Sequence, residues 1–177
     1  VSSEWEAINE LEIGGRNLLA LDKRMQGVFI YQASPNYLTI NENSNASSYV
    51  INVVGIQSIS VSVSADSVFE NNRFGLAFYK EFEDGELPLS VPFNFQKGKP
   101  DADKYENIEV PEGATIAVLY YSNVGIDNMP TKIKLEKGNK ATDWTPAPED
   151  VQYDYEAKIE NAADSISLAV YNKTLDE

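Results

Sequence analysis

The sequence predicts an all-β fold, an antiparallel β-sandwich over roughly residues 17–148. Three observations lead to this prediction. Stretches of alternating apolar and polar residues recur along the chain, clusters of turn-forming residues separate them, and no long helical pattern interrupts them. Short strands broken by turns at this rhythm are typical of β-sandwiches and barrels.

Individual strands are predicted where the alternation is strongest. In residues 58–64 the apolar side chains point inward, and the serines between them, which include Ser60 and Ser62, point outward. Further strands are predicted at residues 17–21, 28–31, 37–40, 49–54, 74–80, 114–121 and 133–136, with turns at 34–36, 84–85 and 111–113 and a loop at 41–48.

Two of these strands place a tyrosine opposite bulky apolar residues. Tyr79 shares one face with small residues, and Tyr121 likewise shares its face with Ala117. The sets opposite them are Phe74, Leu76 and Phe78 in the first strand and Ile116, Val118 and Tyr120 in the second. If those sets point into the core, both tyrosines stand on the outer surface beside small residues, which would leave a shallow groove around each ring.

Composition limits the classes of partner. The chain has 177 residues, 42% of them apolar, which is enough for the core of one domain with flanking pieces. It carries 14 basic and 28 acidic residues, a net charge of −14 with histidine neutral. Such a surface repels phosphate backbones and anionic lipids, so nucleic acid and membranes are disfavoured as partners. An uncharged glycan meets no such repulsion.

The absence of cysteine and histidine removes several kinds of site. The chain cannot form a disulfide, use a thiolate nucleophile, build a Ser-His-Asp triad or bind zinc through cysteine or histidine. No apolar run approaches the length of a membrane span, and no signal-peptide pattern opens the chain.

Helical connectors are predicted on both sides of the sandwich, over residues 1–14 and 150–177. The first has a capping box and an apolar stripe that includes Trp5, which is expected to serve helix packing. The second starts at Asp150 and follows a heptad pattern for about three heptads, so it could form a short coiled coil. Alternation in its last part favours a strand instead, so residues 165–177 are left open between helix and strand.

Residues 132–150, the closing segment, are predicted to end the β domain. They begin as a strand, turn after residue 136, and stop at two prolines that neither a helix nor a central strand can absorb. Glu136 and Lys134 point away from the core in this prediction, and Glu136 is expected to form an ion pair with its neighbours Lys134 and Lys137. Trp144 is expected to pack as a plug beneath the segment.

Two stretches resemble a known family. Residues 13–19, with the sequence Ile-Gly-Gly-Arg-Asn-Leu-Leu, and residues 133–150 are similar to the first and last segments of carbohydrate-binding-module-like jelly rolls. Such domains occur in tail, baseplate and tail-fibre proteins of phages that infect Gram-positive bacteria, especially streptococci and lactococci. The resemblance covers about 135 residues, and the middle of the chain carries no motif of the family, so no sugar-contacting residue is transferred.

The resemblance implies a fold, a location and partners. The fold is a jelly-roll sandwich, and the location is the phage tail, outside the host cell. The partners are host cell-wall polysaccharide and other virion tail proteins. Trimeric helical connectors are usual between such modules, which implies a homotrimer.

A glycan site needs aromatic faces for the C–H surfaces of sugars and polar groups for their hydroxyls. Tyr79 and Tyr121 are the expected stacking residues, although both rings could instead cover the second face of their sheet against loops. Arg73 and Asn123 lie at the ends of the same strands and could supply polar contacts. The predicted carbohydrate-binding residues are Tyr79, Tyr121, Arg73, Asn123, Ser60 and Ser62.

Two chemical alternatives are weaker. Residues 101–112 follow part of a calcium-loop spacing, but Glu106 stands where an EF-hand needs glycine and Pro111 excludes the exiting helix. A solvated acidic loop is the favoured interpretation, so no cofactor is predicted, with calcium as the alternative. A glycosidase needs two carboxylates about 5–10 Å apart, and none of the 28 acids lies in a distinctive setting.

The predicted function is therefore that of a non-catalytic carbohydrate-binding module, which binds by aromatic stacking at modest affinity per site. No catalytic residue is predicted. Two alternatives are kept: a structural spacer of the tail without a ligand, and, less favoured, a glycan-degrading domain.

Overall fold

The computed structural model of the protein describes residues 15–31, 36–64, 73–95 and 103–151. Two 3₁₀ helices, Leu21–Lys23 and Ile126–Asn128, and helical residues 148–151 accompany the strands of this part of the chain. The strands are β1 (Arg24–Gln26), β2 (Val28–Ile30), β3 (Leu38–Ile40), β4 (Ala46–Asn52), β5 (Ser58–Val63), β6 (Phe74–Tyr79), β7 (Ser90–Phe95), β8 (Lys104–Glu109), β9 (Ile116–Ser122) and β10 (Ile133–Lys137).

The strands form three sheets, and every pairing is antiparallel. The central sheet has five strands in the order β1-β4-β9-β6-β7, a second has three in the order β10-β5-β8, and β2 pairs with β3. The predicted all-β, antiparallel sandwich is confirmed. The jelly-roll connectivity implied by the resemblance stays a prediction.

The main core lies between the central sheet and the three-stranded sheet. Each strand contributes alternate residues to it, because successive side chains of a strand point to opposite faces. Its buried members include Tyr49, Ile51, Phe74, Leu76, Phe78, Leu119 and Tyr121 from the central sheet and Ile59, Val61, Val63, Ile133 and Leu135 from the other.

A second, smaller core lies on the opposite face of the central sheet, beneath the β2–β3 hairpin. Val28, Ile30 and Leu38 of the hairpin pack there against residues of β6 and β9. The Ser48 hydroxyl donates a hydrogen bond to the carbonyl oxygen of Val28 and so ties the hairpin to β4. The middle strands of the central sheet are therefore covered on both faces, and every residue of β6 is buried.

Asn17 joins the beginning of the domain to its closing segment. Its buried side-chain amide donates to the carbonyl oxygens of Ile133 (3.1 Å) and Thr145 (3.0 Å), and its Oδ1 accepts from the backbone N–H groups of Leu19 (3.0 Å) and Leu135 (3.2 Å). One amide thus satisfies four backbone groups from three parts of the chain. Residues 17–21 were predicted as a strand, and this prediction is wrong. The Asn17 side chain binds the local backbone, which is not in a strand.

Three strands were not predicted, and each departs from the usual pattern. β7 contains Pro92, which a strand tolerates here because β7 lies at the edge of its sheet. β8 is also an edge strand, is largely exposed and is polar. It occupies residues that were predicted as an acidic loop. That loop prediction is wrong over Lys104–Glu109, where the chain forms an extended strand, and the calcium alternative stays a prediction. β1 has only three residues.

The closing segment differs from its prediction in two respects. Trp144 is 44% exposed, so it is not a plug, and Ala147 is the one buried residue among residues 138–150. Lys134 and Glu136 do lie on the face of β10 that turns away from the main core, but the rest of the segment covers them and both are buried. Their predicted ion pair is confirmed.

Several predictions fall on residues outside the described part of the chain. The helical connector over residues 1–14, nearly all of the connector over residues 150–177, and most of the turn at residues 34–36 belong to this group. Of the residues of and just before the second connector, the structure describes 148–151, which are helical. None of the helices in the described residues has the length and apolar character to cross a membrane.

Candidate functional site

The two predicted stacking residues are both buried and lie on opposite faces of the central sheet. Tyr79 is 0% exposed in the smaller core, and Tyr121 is 1% exposed in the main core. Burial raises the pKa of both phenols well above the usual value. A buried ring cannot stack on a sugar, so the expectation of exposed tyrosines in a shallow groove is wrong.

The pairing of β6 with β9 accounts for this arrangement. Phe74 is the register partner of Tyr121, and their ring centroids lie 4.9 Å apart in the main core. The face of β9 that turns toward the main core therefore carries Tyr121, while Tyr120 turns the other way, toward the smaller core. Alternation correctly divided the residues of β9 between its two faces. The set that was predicted to point into the main core, however, faces the smaller core.

The two predicted serines lie on the three-stranded sheet and do not meet the tyrosines. Ser60 is buried: its hydroxyl donates to the carbonyl oxygen of Gly138 (2.9 Å) and accepts from the backbone N–H of Asn107 (3.2 Å). The register of β5 with β8 shifts at this point, where Asn107 has a left-handed φ of 56°. Ser60 therefore has a structural partner set at a bulge. Ser62 lines a separate groove near Trp144.

Arg73 and Asn123 do come together, at one end of the central sheet. β6 begins beside Arg73, β9 ends beside Asn123, and the two strands are neighbours. The groove at this position, the end groove, has a volume of about 480 Å³. Its lining residues are Phe29, Ile30, Tyr31, Ser44, Asn45, Ala46, Arg73, Tyr120, Ser122 and Asn123.

A stacked aromatic pair, one ring exposed and the other half-buried, stands at this groove. Tyr31, which lines it, is 43% exposed, and its ring stacks on Tyr37 with centroids 4.7 Å apart and planes 24° apart. The backbone N–H of Tyr31 donates to the carbonyl oxygen of Tyr37 (2.8 Å), so the hairpin fixes the spacing of the two rings. This pair was not predicted from the sequence. A signal existed, because the two tyrosines lie on either side of a turn-forming Ser-Pro-Asn.

The polar side of the end groove is held by the sheet. The hydroxyl of Ser122 accepts from the backbone N–H of Arg73 (2.6 Å), and the N–H of Ser122 donates to the carbonyl oxygen of Arg73 (3.0 Å). Asn123 has a left-handed φ of 56°, which turns the chain out of β9. The backbones on this side are therefore positioned by hydrogen bonds before any ligand arrives.

The floor of the groove is also fixed. Tyr120 is buried, and its hydroxyl donates to Oδ1 of Asn94 (3.1 Å). Its ring lies across Gly75, where the methyl group of an alanine would come within 2.6 Å of a ring carbon. Glycine is therefore required beneath the ring, and the position of Tyr120 depends on it.

The end groove has the chemistry of a binding site for a neutral polar ligand with an apolar face. Tyr31 and Phe29 offer ring surfaces, while the amide, hydroxyl and guanidinium groups opposite them can donate and accept hydrogen bonds. A guanidinium has five N–H donors, so Arg73 can contact a ligand hydroxyl while it keeps a protein partner. None of the described lining residues is Asp or Glu, so this groove lacks the carboxylate pair of a glycosidase.

No family model, curated protein or solved structure matches this chain. The phage-tail family suggested by residues 13–19 and 133–150 stays a prediction.

Proposed function

We propose that the protein is a non-catalytic carbohydrate-binding module that binds a neutral glycan in the end groove. The observation that carries this proposal is the exposed ring of Tyr31, backed by the stacked ring of Tyr37, beside Arg73 and Asn123. The ring of Tyr31 is positioned to pack on the C–H face of a sugar, and the polar residues are positioned for its hydroxyls. A stacked pair held by a hairpin loses little conformational entropy on binding.

The net charge of the protein favours an uncharged ligand. The protein has a net charge of −14, which repels anionic polymers over the whole surface. A neutral sugar chain meets no such repulsion. Affinity at one site is expected to be modest, because a single sugar ring can bury only a small apolar area.

We further propose that the glycan is a bacterial cell-wall polysaccharide and that the module works in host recognition by a phage tail. The resemblance of residues 13–19 and 133–150 to phage-tail modules supports this assignment. In the fold Asn17 joins these two stretches, which supports treating them as one unit. In such a tail the module contacts other virion proteins, and a homotrimer would raise weak single-site binding through avidity.

The test is a binding titration of the protein with purified cell-wall polysaccharide from streptococcal and lactococcal strains, by calorimetry. Saturable binding is expected, and Tyr31→Ala with Tyr37→Ala should weaken it at least about tenfold, as the loss of about 1.4 kcal/mol would. Phe82→Ala is the matched control, because Phe82 is an exposed aromatic residue (40%) that does not line the groove. Tyr79 and Tyr121 are unsuitable targets, since both are buried in the cores.

Other outcomes would redirect the assignment. No binding to any polysaccharide would favour a structural spacer of the tail, and release of reducing ends would favour a glycan-degrading domain. Binding that survives the double tyrosine substitution would move the site away from the end groove. Light scattering determines the oligomeric state, and a monomer at high concentration would remove the avidity argument.

A further inference from the structure

A second groove lies along the closing segment, on the outer face of the three-stranded sheet. Its volume is about 320 Å³, and Trp144, 44% exposed, forms part of its wall. We call it the Trp144 groove. Its other lining residues are Ser62, Val63, Ser64, Asp103, Lys104, Lys132, Thr142 and Asp143.

The backbone around Trp144 is held on both sides. Before it, the buried ammonium of Lys134 donates to the hydroxyl of Thr142 (2.8 Å) and to the carbonyl oxygen of Asp143 (2.8 Å). After it, the carbonyl oxygen of Thr145 accepts from the Asn17 amide (3.0 Å). The Trp144 backbone is therefore anchored, although its large apolar ring remains in contact with solvent. Such anchoring reduces the entropy that a ligand must offset when it stacks on the ring.

The polar groups of the groove match hydroxyl groups. The side chains of Lys104 and Lys132 only donate hydrogen bonds, the carboxylates of Asp103 and Asp143 only accept them, and the Ser62 hydroxyl can do both. The two lysines balance the two aspartates, so the groove has no net charge within a chain of net charge −14. A ligand with both donors and acceptors and no charge is the best complement.

We propose that the Trp144 groove is a second carbohydrate-binding site, which takes one ring of a neutral saccharide. The C–H face of the ring packs on the indole of Trp144, and its hydroxyls contact the side chains of the opposite wall. This site lies on the three-stranded sheet, whereas the end groove lies at the central sheet, and it does not depend on a ligand in the end groove. The ion pair beneath it positions Trp144 and does not touch the ligand.

The chain offers a direct reporter for this site. It contains two tryptophans, Trp5 and Trp144, so Trp5→Phe leaves Trp144 as the sole tryptophan. The probes are neutral hexasaccharides of glucose, N-acetylglucosamine, mannose and galactose. At least one should change Trp144 emission saturably and lower its quenching by acrylamide at least twofold. The proposal is overturned if none of them alters emission or quenching.

Two further variants separate this site from the end groove. Adding Tyr31→Ala and Tyr37→Ala to the Trp5→Phe protein should leave the Trp144 response unchanged, whereas its loss would show that only the end groove binds. Ser62→Tyr should fill the Trp144 groove and abolish the response without removing the reporter. A failure of the proposed function would give a different result. Polysaccharide binding would then not depend on Tyr31 and Tyr37, while the fluorescence response of Trp144 would persist.

The fold of each variant is checked by its thermal unfolding midpoint. If the free Trp5→Phe protein already resists acrylamide and light scattering shows a dimer, a second copy covers the groove and the saccharide proposal is overturned.

Discussion

Lys134 and Glu136 form an ion pair that is buried beneath the closing segment, with Nζ and Oε2 3.7 Å apart and both side chains 1% exposed. Thr142 connects them: its hydroxyl accepts from the ammonium and donates to the carboxylate, and its backbone N–H donates to the same carboxylate (3.0 Å). Both charges are therefore paired and hydrogen-bonded, as burial requires. The pair holds Thr142 and Asp143 of the closing segment against β10.

Removal of one partner should be costly. Glu136→Ala leaves the Lys134 ammonium buried without a counter-charge, so we expect a loss of about 3–5 kcal/mol in the free energy of unfolding. The double variant Lys134→Met with Glu136→Leu should recover most of it, because no buried charge remains. Urea unfolding measures both, with Lys140→Ala at an exposed position as control. A single variant as stable as the parent would contradict the role of the pair.

Asn17 should be the most sensitive polar residue of the first segment. Asn17→Ala leaves four backbone groups without their side-chain partner, two of them on β10. An unsatisfied buried group costs about 1–3 kcal/mol, so we expect a loss of at least about 3 kcal/mol, after partial repair by water. Asn139→Ala, at an exposed asparagine, should change the unfolding midpoint little. Equal midpoints for the two variants would show that the ends are joined by other contacts.

Strand positions were predictable from the sequence because alternation and turn residues are local signals. Residues 58–64 and 74–80 were predicted to within one residue of β5 and β6. The inward face of β9 was not predictable in this way, since both faces of that strand are apolar and both are covered. β8 was not predicted because a bulge at Asn107 breaks its alternation, so that its half-buried apolar residues, Tyr105 and Ile108, are three positions apart.

The site was predicted only in part, for related reasons. Arg73 and Asn123 follow from strand ends, which neighbouring antiparallel strands bring together. The pairing of Tyr31 with Tyr37 can be predicted only if the hairpin that joins their strands is known. The exposure of Trp144 can be predicted only if it is known which residue after β10 is buried. Ala147 takes that position, and nothing in the local sequence distinguishes a plug from an exposed ring.

Buried tyrosines should make the protein sensitive to high pH. Burial raises the pKa of Tyr49 from 10.0 to about 12, with Asp150 adding to the shift and Arg24 opposing it, and burial also raises the pKa of Tyr79 and Tyr121. A phenol whose folded pKa exceeds its unfolded value contributes stability that is complete below pH 10 and is lost as the pH rises through the folded pKa. Unfolding midpoints should therefore fall steadily above about pH 10.

The measurement is a titration of tyrosinate absorbance in the folded and the urea-unfolded protein. At about pH 11 at least three of the ten tyrosines should remain protonated in the folded protein and ionise on unfolding. Tyr49→Phe should reduce that number by one, at the cost of the hydrogen bond from its hydroxyl to Pro130 (3.0 Å). Identical titrations of the folded and unfolded protein would contradict the burial of these rings.

Gly75 should be intolerant of even one methyl group, because a Cβ at this position would lie 2.6 Å from a ring carbon of Tyr120 and 3.1 Å from Oδ1 of Asn94. These two residues are hydrogen-bonded to each other (3.1 Å), so neither can move alone. Gly75→Ala should therefore cost about 1–3 kcal/mol of stability. It should also weaken glycan binding in the end groove, since Tyr120 forms part of its lining.

Gly125→Ala is the matched control, because its Cβ would meet its nearest neighbour at an ordinary 3.5 Å. Thermal unfolding and polysaccharide titration of both variants check this, and a Gly75→Ala protein with parental stability and affinity would contradict the close contact beneath the groove.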